Sequence, residues 1–213
     1  MVYLNTWWWG WWEPWANTLF YYKFDDSLLN EATWTVDASF YGSWWYVTMW
    51  DGKSADLSNA AVAVSTKLPD IFTLSFYWYY NSFPWFNWIY GTSSTGSSWI
   101  HIQIEGSDKI NIYNYWTMQW TTINIWTLNT NQWYYFTLVR DSWVITVYIN
   151  WQSKGTITTG WNNSTTLQYY LWYSYNTTRY AHWYIDNAIM ESVARSQQDI
   201  TNYFNQTKWD YWL

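Results

Sequence analysis

Residues 131–141 read NQWYYFTLVRD, and residues 144–150 read VITVYIN after a two-residue break at Ser142 and Trp143. The second segment has a period of two, which places residues 144, 146 and 148 on one face and residues 145, 147 and 149 on the other. Two such segments joined by a two-residue connection predict a β-hairpin. At least one face of that hairpin is apolar, so we expect it to pack against a second sheet.

The same pattern recurs along the chain, where short segments rich in Ile, Val, Thr, Tyr and Phe are separated by clusters of Asn, Asp, Gly and Ser. The clearest predicted strands are 19–24, 72–79, 99–104, 109–113, 121–126, 133–140, 144–150, 156–159, 166–171 and 183–190. One short helix is predicted near the end of the chain, because Ser196 can cap it and Asp199 falls in its first turn. This composition of elements predicts an all-β fold, a two-sheet antiparallel jelly-roll sandwich with one short C-terminal helix.

Length and charge limit the function classes. A chain of 213 residues is ordinary for one β-sandwich, so we predict a single jelly-roll domain over residues 19–213, preceded by a leader or assembly segment over residues 1–18. The net charge of −6, with nine scattered Lys and Arg residues, argues against a nucleic-acid partner. No apolar run is long enough to span a membrane. With no cysteine, disulfides and thiolate metal sites are excluded.

Tryptophan is unusually common, with 25 residues against only 8 glycines, although a sandwich needs glycine in its tight turns. Trp151 follows Asn150 in a two-residue connection where Asn-Gly is the expected turn. Two interpretations are open. Either the chain is rich in tryptophan and uses it as aromatic ligand platforms, or many of the tryptophan letters, and some tyrosine letters, stand for other residues. The turn positions favour the second interpretation, so we base no ligand site on a tryptophan.

Five blocks of the sequence carry a family resemblance. They are residues 22–28 (YKFDDSL), 51–57 (DGKSADL), 72–76 (FTLSF), the 131–155 hairpin with its QSKG end, and 184–190 (YIDNAIM) followed by residues 194–196 (ARS). Together and in this order they resemble the laminin G-like jelly rolls of the concanavalin A-like lectin and glucanase superfamily. The resemblance covers residues 19–204 and implies a sandwich in which the first and last strands are neighbours.

Enzymes of that superfamily hydrolyse glycans with two carboxylates that face one cleft. This chain has four glutamates, Glu13, Glu31, Glu105 and Glu191, and none belongs to a closely spaced acidic pair on one strand. Glu105 and Asp108 flank a predicted turn, where we expect them to be solvated. The histidines His101 and His182 have no second histidine at metal-binding spacing. We therefore predict no catalytic residue and no enzyme.

Calcium is the one metal that the resemblance suggests, because jelly rolls of this family often hold it with carboxylate and loop oxygens. The candidate ligands are Asp25, Asp26, Asp186 and Asn187, which the family arrangement of the first and last strands would bring together. The alternative is that Asp25 and Asp26 only cap a turn, and this alternative is favoured. A structural calcium is therefore the only cofactor considered.

Two non-catalytic functions are predicted. The chain is a structural or decorative surface module of a virion or extracellular assembly, with a glycan-binding or adhesive role, or it is a free-standing lectin-like module of a bacterial surface protein. A glycan-active enzyme of the same fold is the less favoured third alternative. The expected partners are a glycan or neighbouring protein subunits, and the expected location is extracellular, on a cell or virion surface. The fold alone does not decide between them, and no ligand-binding residue is identified.

Overall fold

The computed structural model describes residues 18–22, 38–49, 52–64, 69–80, 87–92, 100–114, 119–125, 127–158, 169–171 and 183–213. The strands within these ranges are β1 (Thr18–Tyr22), β2 (Ala38–Met49), β3 (Gly52–Val64), β4 (Ile71–Tyr80), β5 (Asn87–Thr92), β6 (Ile100–Glu105), β7 (Lys109–Asn114), β8 (Gln119–Asn124), β9 (Gln132–Asp141), β10 (Val144–Ile149), β11 (Gln152–Thr158), β12 (Tyr169–Leu171) and β13 (Trp183–Glu191). Helix α1 (Gln197–Thr207) and a 3-10 helix (Lys208–Tyr211) follow them.

The hairpin predicted from residues 131–150 is confirmed. Strands β9 and β10 pair antiparallel, with Asp141 opposite Val144 across the two-residue turn. The face formed by Ile145, Val147 and Ile149 is fully buried, whereas Val144 on the opposite face is exposed. The apolar face therefore supplies the burial that holds the hairpin on the core.

The strands form an antiparallel sandwich, as the sequence predicted. Their hydrogen-bonded order is β11-β10-β9-β4-β13-β3-β12-β5-β6-β7-β8, with β1 on β13 and β2 on β3. Strand β3 links the two halves, because its residues 55–56 pair with β13 and its residues 62–64 pair with β12. The two ends of the order also meet, since β11 contacts β8 and a Cβ added at Gly155 would lie 3.1 Å from the Ile123 side chain.

The first and last strands are neighbours, as the resemblance implied. Strand β1 runs antiparallel to β13, with Tyr21 opposite Ile189 and Tyr22 opposite Ala188. Strand β13 in turn pairs with β4, and the register between them shifts between Asp186 and Ile189. Asn187 lies in this irregular stretch with a φ of 46°. The bulge places the side chains of Asp186 and Asn187 beside β1 and the C-terminal segment.

Strands β4 and β9 are buried on both faces. On the inner face, Phe76 lies opposite Phe136 with their ring centroids 5.1 Å apart. On the outer face, Tyr77 lies opposite Tyr135 at 4.8 Å. Sheet strands covered on one side only would alternate between apolar and polar residues. The aromatic residues on both faces of β4 and β9 therefore require a cover outside the sandwich.

Helix α1 supplies that cover, and its predicted start is confirmed. Ser196 and Asp199 form a reciprocal capping box at its N-terminus. The buried side chains of the helix are Ile200, Tyr203 and Phe204, which pack on the outer-face aromatics. The 3-10 helix then places Tyr211 on Tyr77, with the two rings nearly parallel and 3.6 Å apart.

The ten predicted strands are present, with ends displaced by a few residues and β12 reduced to Tyr169–Leu171. Strands β2, β3 and β5 were not predicted. In β3 the sequence GKSADLSNAAVAV is small and polar and lacks the strict alternation that marks a half-buried strand. Residues 1–17 lie outside the described part of the chain, so the leader segment stays a prediction. Among the described residues, no helix is long and apolar enough to cross a membrane.

Candidate functional site

One outer face of the sandwich carries a regular array of polar and aromatic residues, which we call the polar face. It lies on β6, β7 and β8, where opposite residues of antiparallel strands share a face. The register gives three rows: Tyr113 and Trp120; Gln103, Asn111 and Thr122; and Glu105, Lys109 and Asn124. The opposite face of the same strands holds Ile102, Ile104, Ile110, Ile112 and Ile123, which are buried in the core.

Local sequence explains this arrangement. In β7 the residues alternate as Lys109, Ile110, Asn111, Ile112 and Tyr113, so the apolar residues turn inward and the others outward. The preceding turn begins at Gly106, whose φ of 60° is natural for glycine. The turn sets Glu105 opposite Lys109 and thereby fixes the register of the whole face.

Hydrogen bonds organise the middle of the polar face. The Asn111 side chain donates through Nδ2 to Oε2 of Glu105, and its Oδ1 accepts a hydrogen bond from Oγ1 of Thr122 at 2.8 Å. Asn111 and Gln103 are buried, whereas Thr122 and Asn124 are exposed. These contacts hold the amide of Asn111 in one orientation. The face therefore presents polar groups whose positions are already fixed.

An aromatic pair lies at one end of the polar face. The Tyr113 and Trp120 rings are 4.7 Å apart between centroids, Tyr113 is half-buried, and 48% of Trp120 is exposed. An exposed aromatic ring beside fixed amide and hydroxyl groups can stack on the apolar side of a sugar ring while the polar groups bind its hydroxyls. Chemically, the arrangement suits recognition of a polyhydroxylated ligand.

The candidate catalytic acids fall in two places, with Glu105 and Asp108 at the β6–β7 turn and Glu191 in β13. Asp108 is exposed, as predicted, but Glu105 is only half-exposed because it accepts the hydrogen bond from Asn111. The sequence therefore overestimated the solvation of Glu105. Glu191 lies in β13, fully buried and paired with Arg195. His101 lies in β6, and Glu13, Glu31 and His182 fall outside the described residues.

The Glu191–Arg195 pair joins the end of β13 to the start of helix α1. Arg195 donates through Nε to Oε2 of Glu191 at 3.0 Å and through Nη2 to Oε1 at 2.5 Å. Burial raises the pKa of Glu191, and the Arg195 guanidinium acts in the opposite direction. The backbone N–H of Arg195 also donates to Oγ1 of Thr73 at 2.9 Å. These contacts anchor the helix to β4 and leave no carboxylate of this pair for catalysis.

Two of the four predicted calcium ligands are described. Asp186 is buried, and its oxygens accept hydrogen bonds from the backbone N–H of Asn187 and the hydroxyl of Tyr211, both at 2.7 Å. The Asn187 amide oxygen accepts from the Tyr21 hydroxyl at 2.9 Å, and its nitrogen donates to Tyr211. Both ligand groups therefore already bind protein partners.

Asp25 and Asp26, the other two candidates, lie outside the described residues. Within the described part of the chain, no three His, Cys, Asp or Glu side chains are grouped closely enough to hold a metal ion. Tyr21, Asp186, Asn187 and Tyr211 thus form a hydrogen-bonded lock between β1, β13 and the C-terminal segment. Calcium at Asp25, Asp26, Asp186 and Asn187 stays a prediction.

Comparison with solved structures gives β-sandwich domains. The chain is similar to domain 4 of AbnA, an extracellular GH43 arabinanase from Geobacillus stearothermophilus, in complex with arabinotriose (TM-score 0.71, 16% identity, 87% of this chain and 97% of that one). It is also similar to botulinum neurotoxin type C, whose cell entry depends on two ganglioside molecules (TM-score 0.65, 16% identity, 89% and 51%). The binding domain of botulinum neurotoxin DC in complex with SialylT gives a TM-score of 0.67 at 13% identity (89% and 51%).

The chain spans about half the length of the neurotoxin chains, and all three identities are low enough to show the fold alone. No family model and no curated protein sequence matches the chain. These structural neighbours support a β-sandwich but do not name the laminin G-like family that the sequence resembles. Sequence reasoning identified no ligand-binding residue and missed the polar face. The signal was present in β7, where Asn111 and Tyr113 alternate with the buried Ile110 and Ile112.

Proposed function

We propose that this chain is a non-catalytic glycan-binding module and that the glycan binds on the polar face of β6, β7 and β8. The observation that carries the proposal is the position of the Tyr113 ring on the same face as Thr122, whose exposed hydroxyl is held in place by the buried amide of Asn111. The ring offers a stacking surface, and the exposed Thr122 hydroxyl and Asn124 amide offer groups for sugar hydroxyls. The similar solved structure that is named in complex with arabinotriose supports a glycan-binding role.

We place the module outside the cell, on a cell or virion surface, as a structural or decorative part of a larger assembly with neighbouring subunits. A low charged fraction of 11% and the resemblance to laminin G-like jelly rolls support this location. A free-standing lectin-like module of a bacterial surface protein is the alternative. Chemical cross-linking on the native particle or cell surface distinguishes the two, because the assembly role requires cross-links from this chain to neighbouring subunits.

The test is calorimetric titration of an oligosaccharide panel into the intact protein and two variants. Tyr113→Ala removes the stacking surface, so we expect it to weaken binding by about tenfold or more, which is at least 1.4 kcal/mol. Trp143→Ala is the matched control, because Trp143 is 44% exposed but lies in the β9–β10 turn, away from the polar face. Equal affinity of the parent and Tyr113→Ala proteins for every ligand that binds would remove the site from this face.

The same panel tests the absence of catalysis. We expect no release of reducing sugar from β-glucans or arabinans, because Glu105 and Glu191 lie on separate elements and both have protein partners. Turnover that disappears in Glu105→Gln would establish an enzyme and overturn the non-catalytic assignment.

A further inference from the structure

The polar face carries few charged side chains, and a carboxylate faces an ammonium group across the two strands. Glu105 lies directly opposite Lys109 in the register of β6 and β7. Asp108 is exposed in the adjoining turn, so the described side chains here include two carboxylates and one ammonium. The remaining described side chains on the face are neutral amides, hydroxyls and aromatic rings. The whole chain also carries a net charge of −6.

An anionic glycan would therefore be repelled by the net negative charge of this face. The carboxylate of a sialic acid or a sulfate group is bound well where Arg or Lys is unopposed, because a charged group gains from a partner of opposite sign. On this face Lys109 has a carboxylate as its cross-strand neighbour, and like charge from Glu105 and Asp108 opposes an incoming anion. Neutral hydroxyls meet no such opposition.

We infer that the ligand of the polar face is a neutral oligosaccharide, and that sialylated or sulfated glycans are excluded by charge. The inference rests on the proposed function, since it names the class of glycan that this same face takes. The specificity comes from repulsion as much as from attraction, because the amides and the ring of Tyr113 would accept either kind of sugar. Glu105 has two roles in this account: it holds Asn111 in place and it repels anions.

The experiment compares neutral oligosaccharides with their sialylated or sulfated counterparts at two salt concentrations. We expect the neutral member of each pair to bind at least about tenfold more tightly at low salt, with the difference shrinking as salt screens the charges. Glu105→Gln keeps a group that can accept from Asn111 but removes the charge, so it should narrow the preference and leave the affinity for neutral sugars within about threefold. Lys109→Gln should widen the preference.

The outcomes distinguish failure of the neutral-ligand inference from failure of the proposed binding site. Tighter binding of the anionic members, sensitive to Tyr113→Ala, would overturn the neutral-ligand inference and keep the site. Binding that ignores Tyr113→Ala would overturn the proposed site and the inference with it, and so would a panel in which no glycan binds. Preference for neutral sugars that is unchanged in Glu105→Gln would overturn the charge mechanism.

A separate observation concerns two tryptophans with left-handed backbone conformations. The described non-glycine residues with positive φ are Asn131, Ser142, Asn150, Trp151, Asn187 and Trp212. Asparagine tolerates this conformation, but a bulky aromatic residue does so rarely. Trp151 (φ 64°) is the second residue of the β10–β11 turn after Asn150, and Trp212 (φ 57°) ends the 3-10 helix, where Leu213 donates to the Lys208 carbonyl.

Both positions are those where glycine is the usual residue, in an Asn-Gly hairpin turn and directly after a helix. The codon UGA is translated as tryptophan in some genetic codes and as glycine in others. We also infer that Trp151 and Trp212 are glycines in the natural protein, encoded by UGA. UGA read as glycine at further positions would account in the same way for a chain with 25 tryptophans and 8 glycines. Trp133 is the comparison position, because it lies within strand β9 outside the positive-φ positions and packs its ring on Tyr79 and Tyr211.

The gene and the native protein test this directly. We expect UGA at codons 151 and 212, UGG at codon 133, and glycine at 151 and 212 in peptide masses of protein isolated from its natural source. UGG at codon 151 or 212, or tryptophan in those peptides, would overturn the inference. Recombinant variants give an independent measure: Trp212→Gly should raise the melting temperature by about 2–4 °C. Trp209→Gly should lower it, because Trp209 is equally exposed but lies in the 3-10 helix.

Discussion

The outer surface of the sandwich has two contrasting regions. On β4 and β9 the outward face combines aromatic rings with the buried hydroxyls of Ser75 and Thr137, which bond to each other, and helix α1 with the 3-10 helix covers it, so that Tyr77, Tyr135 and Tyr211 are almost completely buried. On β6, β7 and β8 the outward residues are amides, charges and one tyrosine, and Thr122, Asn124 and Trp120 remain exposed. The inner faces of both regions are apolar and buried.

The difference shows how the same strand pattern serves two purposes. Where the chain itself returns to cover the outer face, aromatic side chains replace the polar ones that solvent would require, and the area buried stabilises the fold. On β6, β7 and β8 no described helix covers the outer face, and this polar face keeps polar side chains that are hydrogen-bonded to one another. The covered region holds the molecule together, and the polar face is the surface that we propose for glycan binding.

The largest expected difference between the regions appears at high pH. Burial raises the pKa of Tyr77, Tyr135, Tyr203 and Tyr211 above the ordinary value of 10. These hydroxyls bind protons more tightly in the folded state than in the unfolded state. Their contribution to the free energy of unfolding is therefore complete below pH 10 and is lost as the pH rises above 10. Each lowers the free energy of unfolding by about 1.4 kcal/mol per pH unit above 10, and the four together by about 6 kcal/mol per pH unit.

Chemical denaturation between pH 8 and pH 11.5, followed together with tyrosinate absorbance, measures this loss. These four tyrosines should ionise only as the protein unfolds, and Tyr203→Phe should reduce the slope by about a quarter. Ionisation of all tyrosines at pH 10 in a protein that stays folded would show that the helix does not exclude solvent from the tyrosines of the covered region.

Paired aromatic deletions sharpen the comparison. Phe204→Ala removes a ring that is 1% exposed and packs beside Tyr135 and Trp151, so we expect the free energy of unfolding to fall by about 3–5 kcal/mol. Tyr113→Ala on the polar face should cost about 1 kcal/mol or less, because the ring is already half in solvent. Urea denaturation of both variants gives the two values. Equal losses would mean that the polar face is part of the core.

The ion pair at the start of α1 tests how firmly the cover is attached. Arg195→Ala leaves the carboxylate of Glu191 buried without its partner, and we expect a loss of about 3 kcal/mol. The double variant Glu191→Gln/Arg195→Met should recover most of that loss, since it removes both charges together. Thermal melts of the single and double variants measure it. A single variant as stable as the parent would show that α1 is held by its apolar face alone.

The sequence predicted most of the covered region and little of the polar face. Ser196 and Asp199 predicted the start of the helix, and the helical period placed Tyr203 and Phe204 on its buried side. Both predictions succeed because capping and helical period depend on residues that are close in sequence. The polar face depends on the register of three strands, which single-strand patterns do not contain. It brings Glu105 beside Asn111 although nothing in either strand alone pairs them. Strand β3 was missed because its sequence, GKSADLSNAAVAV, lacks the apolar–polar alternation that marks a half-buried strand.

The last prediction concerns the lock between the chain ends, where Asp186 accepts from Tyr211 and the predicted calcium would need the same carboxylate. If calcium binds the folded form only, it raises the free energy of unfolding by about 2.7 kcal/mol at a hundredfold excess over Kd. Thermal melts with calcium and with chelator measure this, and Asp25→Ala and Asp186→Ala should each abolish it. Tyr211→Phe is the informative companion: it costs about 1 kcal/mol through the lost hydrogen bond, yet it frees one oxygen of Asp186 and should strengthen the response to calcium. A melting temperature that ignores calcium in both the parent and Tyr211→Phe proteins would leave Asp186 as a purely structural acceptor, and the covered region would then be closed by hydrogen bonds and aromatic packing without a metal.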